Sequence, residues 1–336
     1  MDTKILRVND SKKDTGPIDE AARLIQAGEV VAFPTETVYG LGGNARDPIA
    51  IQKIFAAKER PADNPLIVHI AQTEDLDGIA DEVNNNAKKL MEKFWPGPLS
   101  LVLKKHVSIP NITTAGLGTV VVRLPRHSIA QALIRAAGVP IAAPSANRSG
   151  RLSPTRASHV IKDLDGRIPL IIDGDDIEYG LESTIVDCTI EPPTILRPGS
   201  VTLEQLQSIV PNIYIADTTH PLKSPGMKYR HYSPTAPIIL FCGEPEKTAI
   251  AMKQHAKESS ANKTAALWHT GDTPVVSHTQ KLPRAAEQAA PLLFSSLRLI
   301  DKPNVSKILV QGYSEAGVGA AIMNRLRKAA SSIVEI

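Results

Sequence analysis

The sequence predicts an α/β fold made of two domains that are joined by a proline-rich segment. Short apolar runs rich in β-branched residues alternate with helical patterns, which is typical of α/β proteins. This alternation breaks off once, between residues 217 and 236. The length of 336 residues also agrees with two domains, at roughly 150 residues each. We therefore expect domains at 1–216 and 237–336, with a linker or lid at 217–236.

The first domain is predicted to carry a mixed sheet with helices packed on it. The strand candidates are residues 30–33, 66–70, 99–103, 119–123 and 169–173, and the helix candidates are 18–27, 49–57 and 156–163. Asp47-Pro48 and Ser153-Pro154 are each expected to supply an N-cap and a first-turn proline to the helix that follows. Gly28 is expected to close the first helix. The glycine-rich stretch 40–43 is interpreted as a flexible turn.

The second domain is predicted to be smaller, with a parallel, Rossmann-like sheet. Its strand candidates are 238–241, 264–268 and 305–310, and its helix candidates are 245–258, 283–300 and 317–330. Units of strand, helix and strand imply a parallel sheet, because parallel strands need a crossover connection. The preceding stretch 221–234 has three prolines and no apolar period, but it is too rich in Lys, Arg, Tyr and His for an inert spacer.

Composition excludes several classes of protein. The net charge is +3, from 38 basic and 35 acidic residues, and aromatics make up only 4%, which argues against a nucleic-acid coat or a base-stacking platform. Cys188 and Cys242 form no CxxC pair, so a disulfide framework and a zinc ribbon are not expected. The N-terminus has no signal-peptide pattern, and no apolar run approaches the ~20 residues of a membrane helix. We expect a soluble, cytoplasmic protein without membrane contacts.

Familiar catalytic motifs are absent from the sequence. It contains no GxxxxGK[ST] phosphate loop, no GxSxG elbow and no HExxH metal motif. Gly317-Val318-Gly319 begins like a dinucleotide fingerprint, but Ile322 stands where glycine or alanine is needed. We therefore expect no metal site built by the protein and no covalent intermediate.

Three polar segments near predicted strand ends are candidates for anion binding. Pro61 biases Arg60 toward an extended backbone, in which Lys58 and Arg60 would project to one side with Asn64 beyond them. Such a pair can hold phosphate oxygens, although Lys and Arg at a helix end can equally be a solvated response to the helix dipole. The segment 145–147, Ser-Ala-Asn, suits phosphate or ribose, with an ordinary turn as the alternative. The third segment, 34–40, follows the first strand of the domain.

Taken together, these segments and several others closely resemble the threonylcarbamoyl-AMP synthase (YrdC-like) family. The resemblance is dense over about residues 15–210, and the linker motif 224–234 and the segment 323–329 resemble the longer, two-domain branch of that family. The motifs that carry it are Pro34-Thr35-Glu36-Thr37-x-Tyr39-Gly40, Lys58-x-Arg60, Trp95-Pro96-Gly97-Pro98-Leu99, Ser145-x-Asn147, Ser149-Gly150-x-x-Ser153-Pro154-Thr155 and Arg197-Pro198-Gly199.

The resemblance implies a YrdC-like twisted mixed sheet in the first domain and a defined reaction. L-Threonine, bicarbonate and ATP would give threonylcarbamoyl-AMP and pyrophosphate, with Mg2+ carried by ATP. A downstream tRNA threonylcarbamoyl transferase would place the group on adenosine 37 of tRNAs that read ANN codons. Because all three substrates carry anionic groups, the site needs cations and hydrogen-bond donors, which this chain has.

Site residues follow from the family motif, position by position. The resemblance assigns L-threonine to Thr37, His69, Arg123, Ser183 and the backbone of Ala143. It assigns ATP to Arg60, Asn64, Thr119, Ser145, Ser153, Arg197 and Tyr232. Lys58 and Arg60 are expected to be catalytic, exposed in a cleft and replaceable by alanine without unfolding. For His69, an apolar strand also fits a hydrogen-bonded core histidine. If Tyr232 reaches ATP, removing residues 217–336 should weaken ATP retention.

Three other functions remain open at this stage. The first is a double-stranded RNA-binding module with a basic concave surface, which the near-neutral net charge of the chain disfavours. Weak binding of RNA beside another function is still compatible with the sequence. A carbamoyl transferase of the hydrogenase-maturation type uses a related domain but carries zinc-finger CxxC pairs, which are absent here. A purely regulatory threonine-binding protein would release no pyrophosphate.

Overall fold

The computed structural model describes residues 2–174, 177–216, 232–258 and 261–336. The chain forms two compact units, the first made of residues 1–149 and 153–228 and the second of residues 150–152 and 229–336. Most of the predicted linker, residues 217–231, lies outside the described residues. In the ranges described, no helix has both the length and the apolar character needed to cross a bilayer.

The first unit is a mixed sheet with helices packed on it, as predicted. The helices are α1 (Thr15–Gln26), α2 (Pro48–Lys58), α3 (Asn85–Phe94), α4 (Ser128–Ala137), α5 (Ala157–Leu164) and α6 (Leu203–Gln207). The strands are β1 (Lys4–Arg7), β2 (Val31–Phe33), β3 (Gly40–Asn44), β4 (Ile67–His69), β5 (Ala80–Glu82), β6 (Leu99–Lys105), β7 (Thr119–Arg123), β8 (Ile141–Ala142), β9 (Leu170–Asp173), β10 (Thr184–Asp187), β11 (Thr194–Arg197) and β12 (Tyr214–Ile215). Their order is β1-β9-β2-β3-β8-β4-β7-β6-β10-β11-β12, with β5 beside β6.

Two of the predicted helix boundaries are confirmed and one is wrong. The Asp47 side chain caps α2 by accepting from the backbone N of Ile49 at 2.8 Å. Gly28, with φ +75°, follows the end of α1. Ser153 does not cap α5, because that helix starts only after Arg156 and the Ser153 hydroxyl instead donates to Glu182.

The glycine-rich stretch 40–43, predicted to be a flexible turn, belongs to strand β3. This strand pairs antiparallel with β2 on one side and β8 on the other. A Cβ on Gly42 would lie 2.6 Å from both the Phe33 ring and the Ile141 side chain. Glycine therefore lets large neighbours pack directly on the strand, and tertiary packing overrides the low strand propensity.

Side-chain alternation gives the middle of this sheet two different faces. On β7, Val120 and Val122 belong to the main hydrophobic core. Val121 points the other way, into a small apolar cluster that also contains Ile67, Val102, Ile185 and Leu196. Because the strand period is two, Thr119 and Arg123 project to the same side as Val121. This second face carries polar side chains at both ends of an apolar floor.

The second unit is the predicted smaller Rossmann-like α/β structure. Its helices are α7 (Pro245–Lys257), α8 (Ala286–Ala289), α9 (Leu293–Ile300) and α10 (Val318–Ala329), and its strands are β13 (Ile238–Cys242), β14 (Thr264–Trp268), β15 (His278–Lys281), β16 (Lys307–Gln311) and β17 (Ala330–Glu335). The order is β15-β14-β16-β13-β17, and every pair is parallel. The single helix predicted for 283–300 is wrong, because a 3-10 turn containing Pro291 separates α8 from α9.

Candidate functional site

Arg123, at the end of β7, is the centre of a buried polar cluster in the first unit. Its side chain is almost fully buried, and its three nitrogens meet three different partners. Nε donates to the carbonyl of Gly97 at 3.1 Å, and Nη1 donates to Oγ1 of Thr37 at 2.8 Å. Nη2 lies 2.7 Å from Oε1 of Glu36 in an ion pair. These contacts hold the guanidinium in one orientation.

The Thr37 hydroxyl is oriented by a short hydrogen-bonded chain. Thr35 Oγ1 donates to the carbonyl of Val38 at 2.7 Å, so it can only accept from Thr37 Oγ1, which lies 2.8 Å away. Thr37 thus accepts from Arg123 and donates to Thr35. A hydroxyl has two lone pairs, and one of them remains for a ligand donor.

Glu36 is a buried carboxylate held by charge and by backbone. Its Oε1 accepts from the backbone N of Arg126 at 3.0 Å and pairs with Arg123. Burial by itself raises the pKa of Glu36, but the positive charge of Arg123 and the Arg126 N–H outweigh burial and lower this pKa below its usual value. Glu36 is therefore ionised at neutral pH.

His69, at the end of β4, is neutral in this cluster. Its Nδ1 donates to the carbonyl of Ile67 at 3.1 Å, and the edge of its ring meets Phe33. Burial, aided by the nearby charge of Arg123, lowers the pKa of His69 to about 3. An uncharged imidazole can recognise a hydroxyl or an amine without repelling the neighbouring cation.

Acidification is expected to destabilise the protein through His69. The folded pKa of about 3 lies below the unfolded value of 6.5, so the unfolded chain binds more protons between these values. The free energy of unfolding should therefore fall by up to about 1.4 kcal/mol per pH unit as the pH drops below about 6.5. Urea unfolding at pH 7 and pH 5 measures this slope. In His69→Asn, unfolding takes up about one proton fewer, so the free energy of unfolding should depend less steeply on pH than in wild type. Equal slopes in both proteins would rule out His69 as the source of the pH dependence.

Ser183 is held beside Arg123 by two neighbouring elements. Its hydroxyl lies 2.7 Å from that of Ser100, which pairs with Arg123 in the β6–β7 ladder. Arg197 donates to the Ser183 carbonyl at 2.9 Å and to its hydroxyl at 3.1 Å. Sequence reasoning missed Ser100, since only the strand register brings it here.

Lys58 contradicts the expectation of an exposed cation. It is the last residue of α2, with 1% of its surface exposed, and Glu59 after it has φ +53°. The ammonium group donates to the carbonyls of Ser145 and Asn147, and so ties the 143–149 segment to the helix end. Burial, with the charge of Arg60 adding to it, lowers the pKa of Lys58 well below its usual value. The expected extended segment with Lys58 and Arg60 on one side is wrong, because Lys58 is helical.

Arg60, Asn64, Ser145 and Thr119 lie toward the other end of the sheet face. Arg60 donates to the carbonyls of Asn64 and Pro65 at 3.3 and 3.1 Å. Since Ile67 pairs in parallel with Val121, the residues before β4 lie at the Thr119 end of β7. Thr119 and Arg123 are four positions apart on the strand, which is roughly 13 Å.

The remaining predicted residues occupy three places. The backbone N of Ala143 donates to the carbonyl of Ile67 at 2.9 Å, between the Arg123 end and the Thr119 end of the sheet face. Ser153 bonds Glu182, the residue before Ser183. Tyr232 belongs to the second unit, where it stacks on Phe294 at 5.6 Å with the Arg325 guanidinium 5.7 Å from its ring centre. Its assignment to ATP stays a prediction.

The arrangement in the first unit suits an amino acid and a nucleotide, held end to end. The Arg123 end offers a cation, a carboxylate, a neutral imidazole and hydroxyls within a buried cluster. The Thr119 end, near Lys58 and Arg60, offers cations, amides and backbone groups. Within the part of the chain that the structure describes, no three acidic, histidine or cysteine side chains come together as metal ligands would.

Comparison with known proteins finds full-length similarity. A family model described as Telomere recombination (Sua5, YciO and YrdC) matches residues 23–199, and one described as Threonylcarbamoyl-AMP synthase, C-terminal domain, matches residues 201–331. The threonylcarbamoyl-AMP synthases of Pyrococcus abyssi and Bacillus subtilis are 46% and 45% identical to the chain, over 92% and 94% of both sequences. The crystal structure of P. abyssi Sua5 complexed with L-threonine is similar with a TM-score of 0.95 and 44% identity, and covers 99% of this chain and 100% of that one.

Proposed function

The chain belongs to the threonylcarbamoyl-AMP synthase family, and from this premise we propose that it is an L-threonylcarbamoyladenylate synthase. It condenses L-threonine, bicarbonate and ATP to threonylcarbamoyl-AMP and pyrophosphate. The observation that carries the proposal is the gathering of Thr37, His69, Arg123 and Ser183 into one buried cluster. These side chains come from distant parts of the chain and match the groups of threonine.

In the proposed site, threonine lies at the Arg123 end. The guanidinium receives the α-carboxylate, a charge-assisted contact that arginine makes well. Thr37, His69 and Ser183 recognise the amine and the hydroxyl of the substrate, and the Ala143 backbone flanks it. Neutral His69 places no second cation beside the amine, which must lose its proton before it attacks carbon dioxide or bicarbonate.

ATP lies toward the other end of the same face in this proposal. Arg60, Asn64, Thr119, Ser145, Ser153 and Arg197 are its proposed contacts, and Mg2+ enters with the phosphates, whose charge it neutralises. The threonine amine adds to carbon dioxide with loss of a proton, or to bicarbonate with loss of water, and gives a carbamate. An oxygen of this carbamate attacks the α-phosphorus, the bond to the β-phosphate oxygen breaks, and pyrophosphate leaves. Lys58 and Arg60 stabilise the negative charge of this step. Because the phosphates are anionic, their arrival favours the protonated form of the buried Lys58 amine.

The product is a mixed anhydride and needs prompt use. A downstream tRNA threonylcarbamoyl transferase that acts on tRNAs reading ANN codons is the proposed consumer, in the cytoplasm. Weak binding of RNA is compatible with this role but is not required by it.

Pyrophosphate release tests the function directly. Purified full-length protein is assayed with L-threonine, bicarbonate and Mg-ATP, and with each substrate omitted in turn. We expect release only when all three are present. Release without threonine would indicate a nucleotide hydrolase, and threonine binding without any release would indicate a regulatory protein.

A further inference from the structure

The cluster around Arg123 contains a buried carboxylate oxygen that no donor satisfies, next to a guanidinium nitrogen that can hold a further acceptor. Among the described residues, Oε2 of Glu36 accepts no hydrogen bond. Nη2 of Arg123 lies 2.7 Å from Oε1 of Glu36 and carries two N–H groups, of which one faces that oxygen. Both side chains are about 3% exposed. The ion pair between Nη2 and Oε1 therefore leaves Oε2 as the carboxylate oxygen open to a ligand.

Such a pair is costly unless a ligand completes it. Nearly all buried polar atoms in folded proteins have a hydrogen-bond partner, and an unsatisfied group costs about 1–3 kcal/mol, more when it is charged. Glu36 has already used Oε1 on the Arg126 backbone and on Arg123. Oε2 is therefore a negatively charged acceptor beside Thr37, with no donor of its own.

We propose that Oε2 of Glu36 receives the α-ammonium group of the amino-acid substrate, while Nη2 of Arg123 receives its α-carboxylate. This inference rests on the proposed function and deepens it, since it names the residue that selects an amino acid over a hydroxy acid. An α-amino acid carries both charges on one carbon atom. An anionic acceptor next to a cationic donor is the complementary arrangement.

The ionisation of Glu36 fits a binding role and not a role as base. Its pKa is lowered because Arg123 and the Arg126 N–H outweigh the effect of burial, so the carboxylate is a weak proton acceptor. It holds the ammonium form in place when the substrate enters. Glu36 is thus a specificity residue, and another group must accept the proton before the amine reacts.

Binding of two ligands that differ only at the amine tests the inference. Calorimetric titration of the full chain compares L-threonine with the 2,3-dihydroxybutyrate of the same configuration, whose hydroxyl replaces the amine. Wild-type protein should bind threonine at least roughly 10-fold more tightly. In Glu36→Gln, threonine affinity should fall by roughly 10- to 100-fold and dihydroxybutyrate affinity by less than about 3-fold, so that the preference is lost.

Glu29→Gln is the matched control, because Glu29 is a glutamate of the first unit that forms a half-exposed ion pair with Lys53 at 2.6 Å. It should leave both affinities unchanged. If Glu36→Gln lowers the affinities for threonine and for dihydroxybutyrate equally, Glu36 only supports Arg123, and the inference is overturned. Wild-type protein that binds neither ligand would overturn the proposed function as well.

Loss of the Glu36 charge leaves Arg123 buried without its partner, so Glu36→Gln is at risk of unfolding. Two measurements keep the inference testable in that case. Wild-type protein that binds both ligands equally would overturn it. Glu36→Asp keeps the charge and should keep the preference for threonine, and loss of that preference in a folded Glu36→Asp protein would also overturn it.

Discussion

Replacing Lys58 with methionine is expected to reduce pyrophosphate release by at least roughly 100-fold and to lower the free energy of unfolding as well. Methionine fills a similar volume but donates no hydrogen bond, so the carbonyls of Ser145 and Asn147 lose their donor. Each buried carbonyl left without a donor costs about 1–3 kcal/mol. Turnover is measured as pyrophosphate release, and stability by urea unfolding at neutral pH.

Lys53→Met is the matched control for this prediction. Lys53 lies about one turn earlier in α2, forms a partly exposed ion pair with Glu29 and donates to the carbonyl of Gly28 at 2.9 Å. Such pairs contribute about 0–1 kcal/mol, and the hydrogen bond to the partly buried Gly28 carbonyl contributes about 0.5–1.5 kcal/mol. The control should therefore keep its turnover and lose less stability than Lys58→Met, which leaves two buried carbonyls without a donor. A Lys58→Met protein as stable as the control would show that the two carbonyl contacts contribute little.

Replacing Arg123 with methionine is expected to cost about 3–5 kcal/mol of stability at pH 7, and to abolish measurable threonine binding. The substitution leaves the Glu36 carboxylate buried without its counter-ion. The wild-type protein has a lowered Glu36 pKa, so the stability that this group contributes is present above about 4.5 and is lost as the pH falls through the folded value. In Arg123→Met the charge that opposes burial is gone and only the backbone hydrogen bonds remain to oppose it, so the pKa of Glu36 should rise.

The two proteins should therefore converge in stability as the pH falls. Urea unfolding of wild type and Arg123→Met at pH 7 and pH 4.5 should give a smaller difference at the lower pH. Adding Glu36→Gln to Arg123→Met should recover part of the stability at pH 7, but no threonine binding. An unchanged difference at both pH values would mean that the destabilisation comes from lost packing and not from the unpaired charge.

Strongly periodic elements of the fold were predictable from the sequence. The strand at 119–123 and the strand at 264–268 have the predicted bounds, because each is a short apolar run that a sheet buries. Strand β3 was not predictable, since its glycines give no strand signal and its pairing depends on Phe33 and Ile141 packing on Gly42. The break at Pro291 was predictable, because a proline inside a helical pattern ends or kinks a helix.

The sequence predicted which residues form the site better than it predicted how they are arranged. Family motifs named Thr37, Arg123 and Ser183, which the structure brings together. The burial of Lys58 could not be read from the sequence, because it depends on a helix end that turns at Glu59 and on carbonyls about 90 residues away in the chain. Glu36 stood inside a recognised motif, but only the ion pair with Arg123 reveals its role.

The strand order of the second unit bears on how this chain folds during synthesis. Ile238, in the apolar strand β13, pairs with Ile308 on one side and Ala330 on the other. A ribosome must therefore add residues 243–306 before either neighbour of β13 exists. Until then an apolar, β-branched strand is open to pairing with other nascent chains, and we expect it to promote aggregation at high expression.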